Sequence, residues 1–135
     1  MIVDAYKECP CGSGKKVKFC CSADIVNELD KVVRAMMGDQ RRSALDQVER
    51  LIAAKGPRAA LLVMQAGLQF TLKDIDGHRA TVAKLLEVAP ESAVGRAFSA
   101  VLKTSDGAIS EGVDELQRAL DASESAIHES VFEAM

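Results

Sequence analysis

Apolar residues recur every three or four positions along most of this chain, which is the period of an α-helix with one buried face. The period is clearest after residue 24, where Ile25, Leu29 and Val32 fall on one helical face. No window alternates convincingly between apolar and polar residues at period two. The pattern therefore predicts a body made of helices, without a sheet.

Breaks in this period divide the chain into segments, and glycine or proline marks several of the breaks. Ser22 is the expected N-cap of the first helix and Gly38 its end, while Asp74 and Asp76 are expected to cap the fourth. The predicted helices span, in chain order, residues 22–38, Arg41 to Lys55, Pro57 to about Leu72, about Asp76 to Val88, Ser92 to Lys103 and Ala108 to Ala122, with a seventh beginning at Ser125.

These helices come in pairs, because Pro57, Pro90 and Ser123 each open a new pair at an even spacing. The spacing corresponds to a repeat of roughly 33 residues, close to that of tetratricopeptide repeats. Gly67 and Ala100, one such repeat apart, place a small residue in the middle of the first helix of two successive pairs. A small side chain there lets antiparallel helices approach closely. We therefore predict an all-α fold with a tetratricopeptide-like, helical-hairpin body; an unrelated helical bundle is the alternative.

The ends of the chain bear on its context. Ile127, Val131 and Phe132 continue the helical spacing close to the last residue, so a chain cut inside a repeat is an alternative to a whole protein. The first residues lack the basic start and apolar run of a signal peptide. The longest apolar stretch, Ala59 to Phe70, is too short to cross a bilayer. We therefore expect a cytoplasmic protein without a membrane span.

Charge is distributed unevenly along the 135 residues, whose formal net charge is −3. Residues 1–21 carry four lysines and two acidic side chains, a net +2, while residues 22–135 carry 13 basic and 18 acidic side chains, a net −5. An acidic body disfavours broad binding of nucleic acid, which needs a positive surface. No nucleophile with a neighbouring base is apparent, so the sequence indicates neither an enzyme nor a small-molecule substrate.

All four cysteines lie in the basic N-terminal segment, which is the strongest chemical signal in the chain. Cys9 and Cys11 are one residue apart, and an eight-residue loop separates them from the adjacent pair Cys20 and Cys21. Zinc prefers four thiolate or imidazole ligands in a tetrahedron, and a site filled by four protein ligands is structural. We therefore predict one structural Zn²⁺ ion, with iron as the alternative metal.

These cysteines could also be in states other than metal-bound. Cytoplasmic thiols stay reduced, which disfavours a pair of disulfides, while buried free thiols and a reactive thiol pair are further alternatives. The turn from Gly12 to Lys15 is not a phosphate-binding loop, because the residues required before and after it are missing. His78 and His128 stand alone on different predicted helices, and surface or helix-end positions are expected for them.

The cysteine segment resembles a SEC-C motif, the metal-binding module found at the C-terminus of the SecA preprotein translocase motor and in many smaller bacterial proteins. The matching run extends from Cys9 to Lys16 and continues with Lys18 and the final cysteine pair. The family commonly has an aromatic residue where this chain has Val17, and a variable, often polar residue where it has Phe19. These two departures are expected to alter the surface offered to a partner.

The resemblance implies a function in recognition. In SecA the motif is associated with contacts to the acidic chaperone SecB and to the ribosome. By resemblance, Lys15, Lys16 and Lys18 are expected to contact an acidic protein, a chaperone or a ribosome-associated partner. We therefore expect a zinc-binding module over residues 1–21 and a helical scaffold over residues 22–135, together a protein–protein interaction adaptor. RNA binding through the same lysines, or the N-terminal fragment of a larger enzyme, are the alternatives.

Overall fold

A computed structural model describes residues 3–122. Every secondary-structure element in this range that is longer than an isolated bridge is a helix. The all-α prediction is therefore confirmed for this part of the chain. A single antiparallel bridge joins Glu8 and Lys16 in the cysteine segment, beside a short 3-10 turn, Val17–Phe19. The six α-helices are α1 Val26–Met37, α2 Arg41–Lys55, α3 Ala59–Thr71, α4 Ile75–Val88, α5 Ala93–Ser105 and α6 Ile109–Ala122.

The predicted helices agree with these bounds to within a few residues, and α2 agrees at both ends. Local chemistry explains the agreement: the carboxylate of Asp74 accepts from the Gly77 amide at 3.1 Å and caps α4, as predicted. Asp76, the other predicted cap, instead lies within the first turn of α4. Gly56 ends α2 with φ +88°, a backbone conformation that glycine adopts without strain. The predicted seventh helix lies outside the described residues. Within the described part, no helix is long and apolar enough to cross a membrane.

Two predicted helix starts are wrong. Ser22 does not cap α1; its carbonyl accepts from the Ile25 amide in a turn that precedes the helix, and its side chain is buried beside Cys21. The Ser22 hydroxyl thus contacts the Cys21 sulfur and does not cap α1. The third helix begins at Ala59 and not at Pro57, because Arg58 keeps an extended backbone with φ −122° and ψ 151°.

The helices form three consecutive pairs, and the shift from one pair to the next is one residue longer than the sequence pattern indicated. The starts of α3 and α5 are Ala59 and Ala93, those of α4 and α6 are Ile75 and Ile109, and the first pair follows the same shift to within one residue. The spacing of the prolines indicated a repeat that is one residue too short, because Pro57 lies two residues before α3, whereas Pro90 lies three residues before α5.

This longer shift makes Ala66, not Gly67, the equivalent of Ala100. Ala66 and Ala100 are both buried, whereas a Cβ added at Gly67 would meet no heavy atom within 4 Å. Gly67 is therefore not a site of close helix approach, and that part of the repeat prediction is wrong. The described helices have similar lengths, and equivalent helix starts recur about every 34 residues. A tetratricopeptide-like, helical-hairpin repeat stays a prediction.

The second helices of the last two pairs carry different residues at one equivalent position. This residue is Gly112 in α6 and His78 in α4. A Cβ at Gly112 would overlap the Thr104 hydroxyl and lie 3.0 Å from the Ala100 carbonyl oxygen, so α5 and α6 touch there. His78 instead donates from Nδ1 to the Ala66 carbonyl oxygen at 2.7 Å. Only 1% of its surface is exposed, so a surface position is wrong for His78, whereas the expected position near a helix end is correct. His128 lies outside the described residues.

The largest hydrophobic cluster crosses the boundary predicted between residues 21 and 22. Val3, Cys9, Cys11 and Val17 belong to the same buried cluster as residues of α1, α2 and α3. The N-terminus is also tied to α1, because the Val3 amide donates to Asp30 Oδ1 at 2.9 Å. The cysteine segment therefore packs on one end of the helical body and shares its core.

Candidate metal centre

The cysteine segment folds into two antiparallel arms joined by a glycine-containing turn. The Cys9 amide donates to the Lys15 carbonyl at 2.8 Å, and the Val17 amide donates to the Lys7 carbonyl at 2.9 Å. Gly12 and Gly14 have φ values of +81° and +82°, which side chains with a Cβ rarely adopt. This turn brings the first cysteine pair back towards the second.

The four cysteine sulfurs converge as a metal site requires. All four Sγ atoms lie within 4.8 Å of one another, with 3.8 Å between Cys9 and Cys21 and 3.4 Å between Cys11 and Cys20. A regular tetrahedron with metal–sulfur distances near 2.3 Å has edges of roughly 3.8 Å. The sulfurs are too far apart for disulfides, whose sulfurs lie about 2.05 Å apart. The predicted ligands therefore form a group that can hold one metal ion.

Hydrogen bonding among the sulfurs shifts their pKa values in opposite directions. Hydrogen bonds from the thiols of Cys11 and Cys9 hold the pKa of Cys21 well below its usual range. The hydrogen bond to Cys21 in turn raises the pKa of Cys11 to about 11, and hydrogen bonds to Cys11 and Cys21 raise that of Cys9. These opposite shifts arise because the sulfurs lie close together, and a metal site needs the same closeness.

Arg58 and the start of α3 lie beside Cys21. The Arg58 guanidinium donates from Nη1 to the Cys21 carbonyl at 3.2 Å, and α3 begins at the next residue, Ala59. The exposed amides of a helix N-terminus favour nearby negative charge. A metal bound by four thiolates carries a net charge of −2, so this environment suits such a centre.

Arg58 is itself held in place by Asp24. Both Nη atoms of Arg58 bind the Asp24 carboxylate, with 2.9 Å between Nη2 and Oδ2, and the guanidinium lowers the pKa of Asp24. Arg58 was not predicted as a site residue, because it lies 37 residues from Cys21 and outside the cysteine motif. No sequence spacing indicates such a contact, because it depends on how α3 packs against the segment.

The three lysines singled out in the sequence are all exposed, but their surroundings differ. Lys16 lies in the bridge with Glu8, and the Lys15 carbonyl holds the turn. Lys18 Nζ lies 4.5 Å from the ring centroid of Tyr6 and 4.7 Å from that of Phe19. Whether these lysines contact a partner stays a prediction.

The two residues that depart from the SEC-C pattern differ in their exposure to solvent. Val17 is fully buried in the core shared with α1–α3, so this departure does not alter the surface. Phe19 is 70% exposed and therefore does alter it, as expected.

Comparison with known proteins adds no relative: the chain matches no family model, no curated protein and no solved structure. Any proposed function therefore rests on the residues and geometry of this chain and not on a known relative.

Proposed function

We propose that this protein is a metal-binding adaptor in which a SEC-C-type zinc module docks a protein partner and the helical pairs serve as a scaffold. The observation that carries the proposal is the convergence of four cysteine sulfurs within 4.8 Å of one another. A closed set of four thiolates suits Zn²⁺, and it leaves no coordination position for water, which is typical of structural sites. Iron is the other metal that four thiolates commonly hold.

The partner contacts are assigned to Lys15, Lys16 and Lys18. These side chains are exposed on a segment whose net charge is +2, and among the described residues none of them forms an ion pair. Unpaired cations on a rigid module favour a partner with an acidic surface, such as a chaperone or a ribosome-associated protein in the cytoplasm. The tetratricopeptide-like pairs would then present a separate surface.

The metal assignment is tested by measuring metal content in protein purified without added metal. We expect one equivalent of zinc per chain and no visible absorption, whereas iron would colour the protein. Cys20→Ser is expected to lose the metal. Ser110→Ala is the control and is expected to keep the metal, because Ser110 is exposed on α6, outside the cysteine segment. A wild-type chain that folds over residues 3–21 without metal contradicts the proposal.

The adaptor role is tested with two purified probes, SecB and ribosomes. The double variant Lys15→Glu, Lys16→Glu is expected to retain zinc and to bind much more weakly to the probe that wild type binds. Lys31→Glu, Lys84→Glu makes the same charge change at exposed lysines of the helical body and is expected to bind normally. Binding that instead follows naked RNA and weakens steeply with salt would favour the RNA alternative.

A further inference from the structure

Two exposed aromatic rings lie on the surface of the cysteine segment. Tyr6 is 68% exposed and Phe19 is 70% exposed, in a chain that has one tyrosine and four phenylalanines. Aromatic rings are enriched where proteins contact each other, because each buries a large apolar area. Two of the five aromatic residues therefore stand where a partner could cover them.

Lys18 joins the two rings into one surface, which we call the aromatic–lysine patch (Tyr6, Lys18 and Phe19). Its ammonium group lies within cation–π distance of both rings. It forms no ion pair with any described carboxylate, so its positive charge is available to a partner. The patch thus combines apolar area with one unpaired cation.

The fold of the cysteine segment sets the position of the patch. The Lys18 amide donates to the Ala5 carbonyl at 3.1 Å, which places Lys18 beside the arm that carries Tyr6. The Tyr6 amide donates to Asp4 Oδ1 at 2.8 Å, and Phe19 directly precedes the ligand Cys20. A surface held in this way before binding loses little conformational entropy on binding.

We propose that the aromatic–lysine patch is the anchor of the docking surface, and that it receives an acidic protein segment in which carboxylates flank an aromatic or large aliphatic side chain. The carboxylates pair with Lys18, Lys15 and Lys16, and the apolar side chain packs on Tyr6 and Phe19. This inference rests on the proposed adaptor function and names the chemistry of its partner.

Single-stranded RNA could also stack bases on exposed rings, but the charge of the helical body favours a short acidic segment. Residues 22–135 carry a net charge of −5, which repels a phosphate backbone that extends beyond the small patch.

The test uses the zinc-loaded full chain and two fluorescent peptides of equal negative charge. One peptide alternates Glu with Leu and Phe, and in the other serine replaces Leu and Phe. We expect the apolar acidic peptide to bind about tenfold more tightly, since one anchored aromatic contact contributes on that order. Tyr6→Ser and Phe19→Ser should each remove most of this preference without changing zinc content or helical circular dichroism.

Met37→Ser is the matched control, because Met37 is 72% exposed but lies at the end of α1, outside the patch. It is expected to leave binding of both peptides unchanged. Equal affinity for the two peptides in wild type, or no effect of Phe19→Ser, overturns the patch as an anchor. Tighter binding of a uridine oligonucleotide that competes with the peptide also overturns it.

Failure of this inference is distinguishable from failure of the adaptor proposal. If both peptides bind equally and Lys15→Glu, Lys16→Glu weakens both, docking is electrostatic and the aromatic anchor alone is wrong. If zinc is absent, the metal-centred proposal fails before the peptides are compared. If wild type binds none of the probes, the partner chemistry inferred here is wrong.

Discussion

The cysteine segment, residues 3–21, and the hairpin of α5 and α6 differ in what holds them folded. The hairpin places small residues where its helices touch: Gly112 lies against Ala100, and Ala97 and Ala119 are fully buried. The cysteine segment has no helix longer than one turn, and its buried residues include two of the four cysteines. One region is stabilised by helix packing, whereas the other contains four sulfurs that can hold a metal ion.

The two regions are also connected to the rest of the molecule differently. The cysteine segment shares its hydrophobic core with α1–α3, while separate, smaller clusters lie further along the helical body. Arg58 adds a polar connection between Cys21 and the start of α3. Loss of metal should therefore weaken α1–α3 and affect the last hairpin least.

Metal removal is expected to have the largest effect. Structural zinc contributes on the order of 10–16 kcal/mol in small zinc modules, more than the whole stability of many domains. A chelator, or Cys20→Ser, should therefore unfold residues 3–21 and lower amide-exchange protection in α1–α3. Hydrogen exchange resolved by segment measures this, with chelated wild type reloaded with zinc as the control. Equal loss of protection in α5–α6 would contradict the expectation that metal loss affects the last hairpin least.

Replacing Arg58 should have the next largest effect, on metal affinity. Arg58→Met removes the guanidinium beside Cys21, and loss of such outer contacts typically weakens metal affinity about 10-fold to 100-fold. Arg79→Met is the matched control, because Arg79 makes a similar two-pronged pair with Asp106, at 2.7 Å and 3.1 Å, far along the chain from the cysteines. Competition with a chromophoric chelator gives both affinities. Equal metal affinities for Arg58→Met and Arg79→Met would show that Arg58 does not contribute to the metal centre.

The helical body can be perturbed without touching the metal. Gly112→Ala inserts a methyl group into the contact with Thr104 and Ala100 and should destabilise the chain by about 1–3 kcal/mol. Gly67→Ala meets open space and should stabilise it by up to about 1 kcal/mol, because alanine favours helices. Denaturant unfolding of zinc-loaded protein measures both. Metal affinity should be unchanged in each variant, and destabilisation by Gly67→Ala would restore the register predicted from the prolines.

The smallest expected effect is the pH dependence contributed by His78. Burial lowers the pKa of His78 below its ordinary value of 6.5, so the folded chain keeps the imidazole neutral. Below pH 6.5 the unfolded chain binds a proton that the folded chain does not, so stability falls as the pH decreases. His78→Gln keeps a hydrogen-bond donor without titrating and should show a shallower decline. Acid release of metal is common to both proteins and cancels in the comparison.

The sequence was most informative where contacts are local. A capping side chain reaches only a few positions along the chain, so Asp74 could be assigned to α4 from its position. The cysteine ligands were equally readable, because their close spacing in one short segment matches what a tetrahedral metal requires. The register of the repeat was misjudged by one position, because the prolines of two loops are not equivalent and local spacing does not record which alanines touch.

The sequence by itself determined the helical class, most helix ends and the four cysteines, because each depends on residues within a few positions of one another. Only the tertiary structure decided that Arg58 lies at Cys21, that His78 is buried and that Val17 points inwards while Phe19 is exposed. These outcomes depend on how α1–α3 pack around the cysteine segment. Packing is set by contacts between distant residues, which the period of a pattern does not specify.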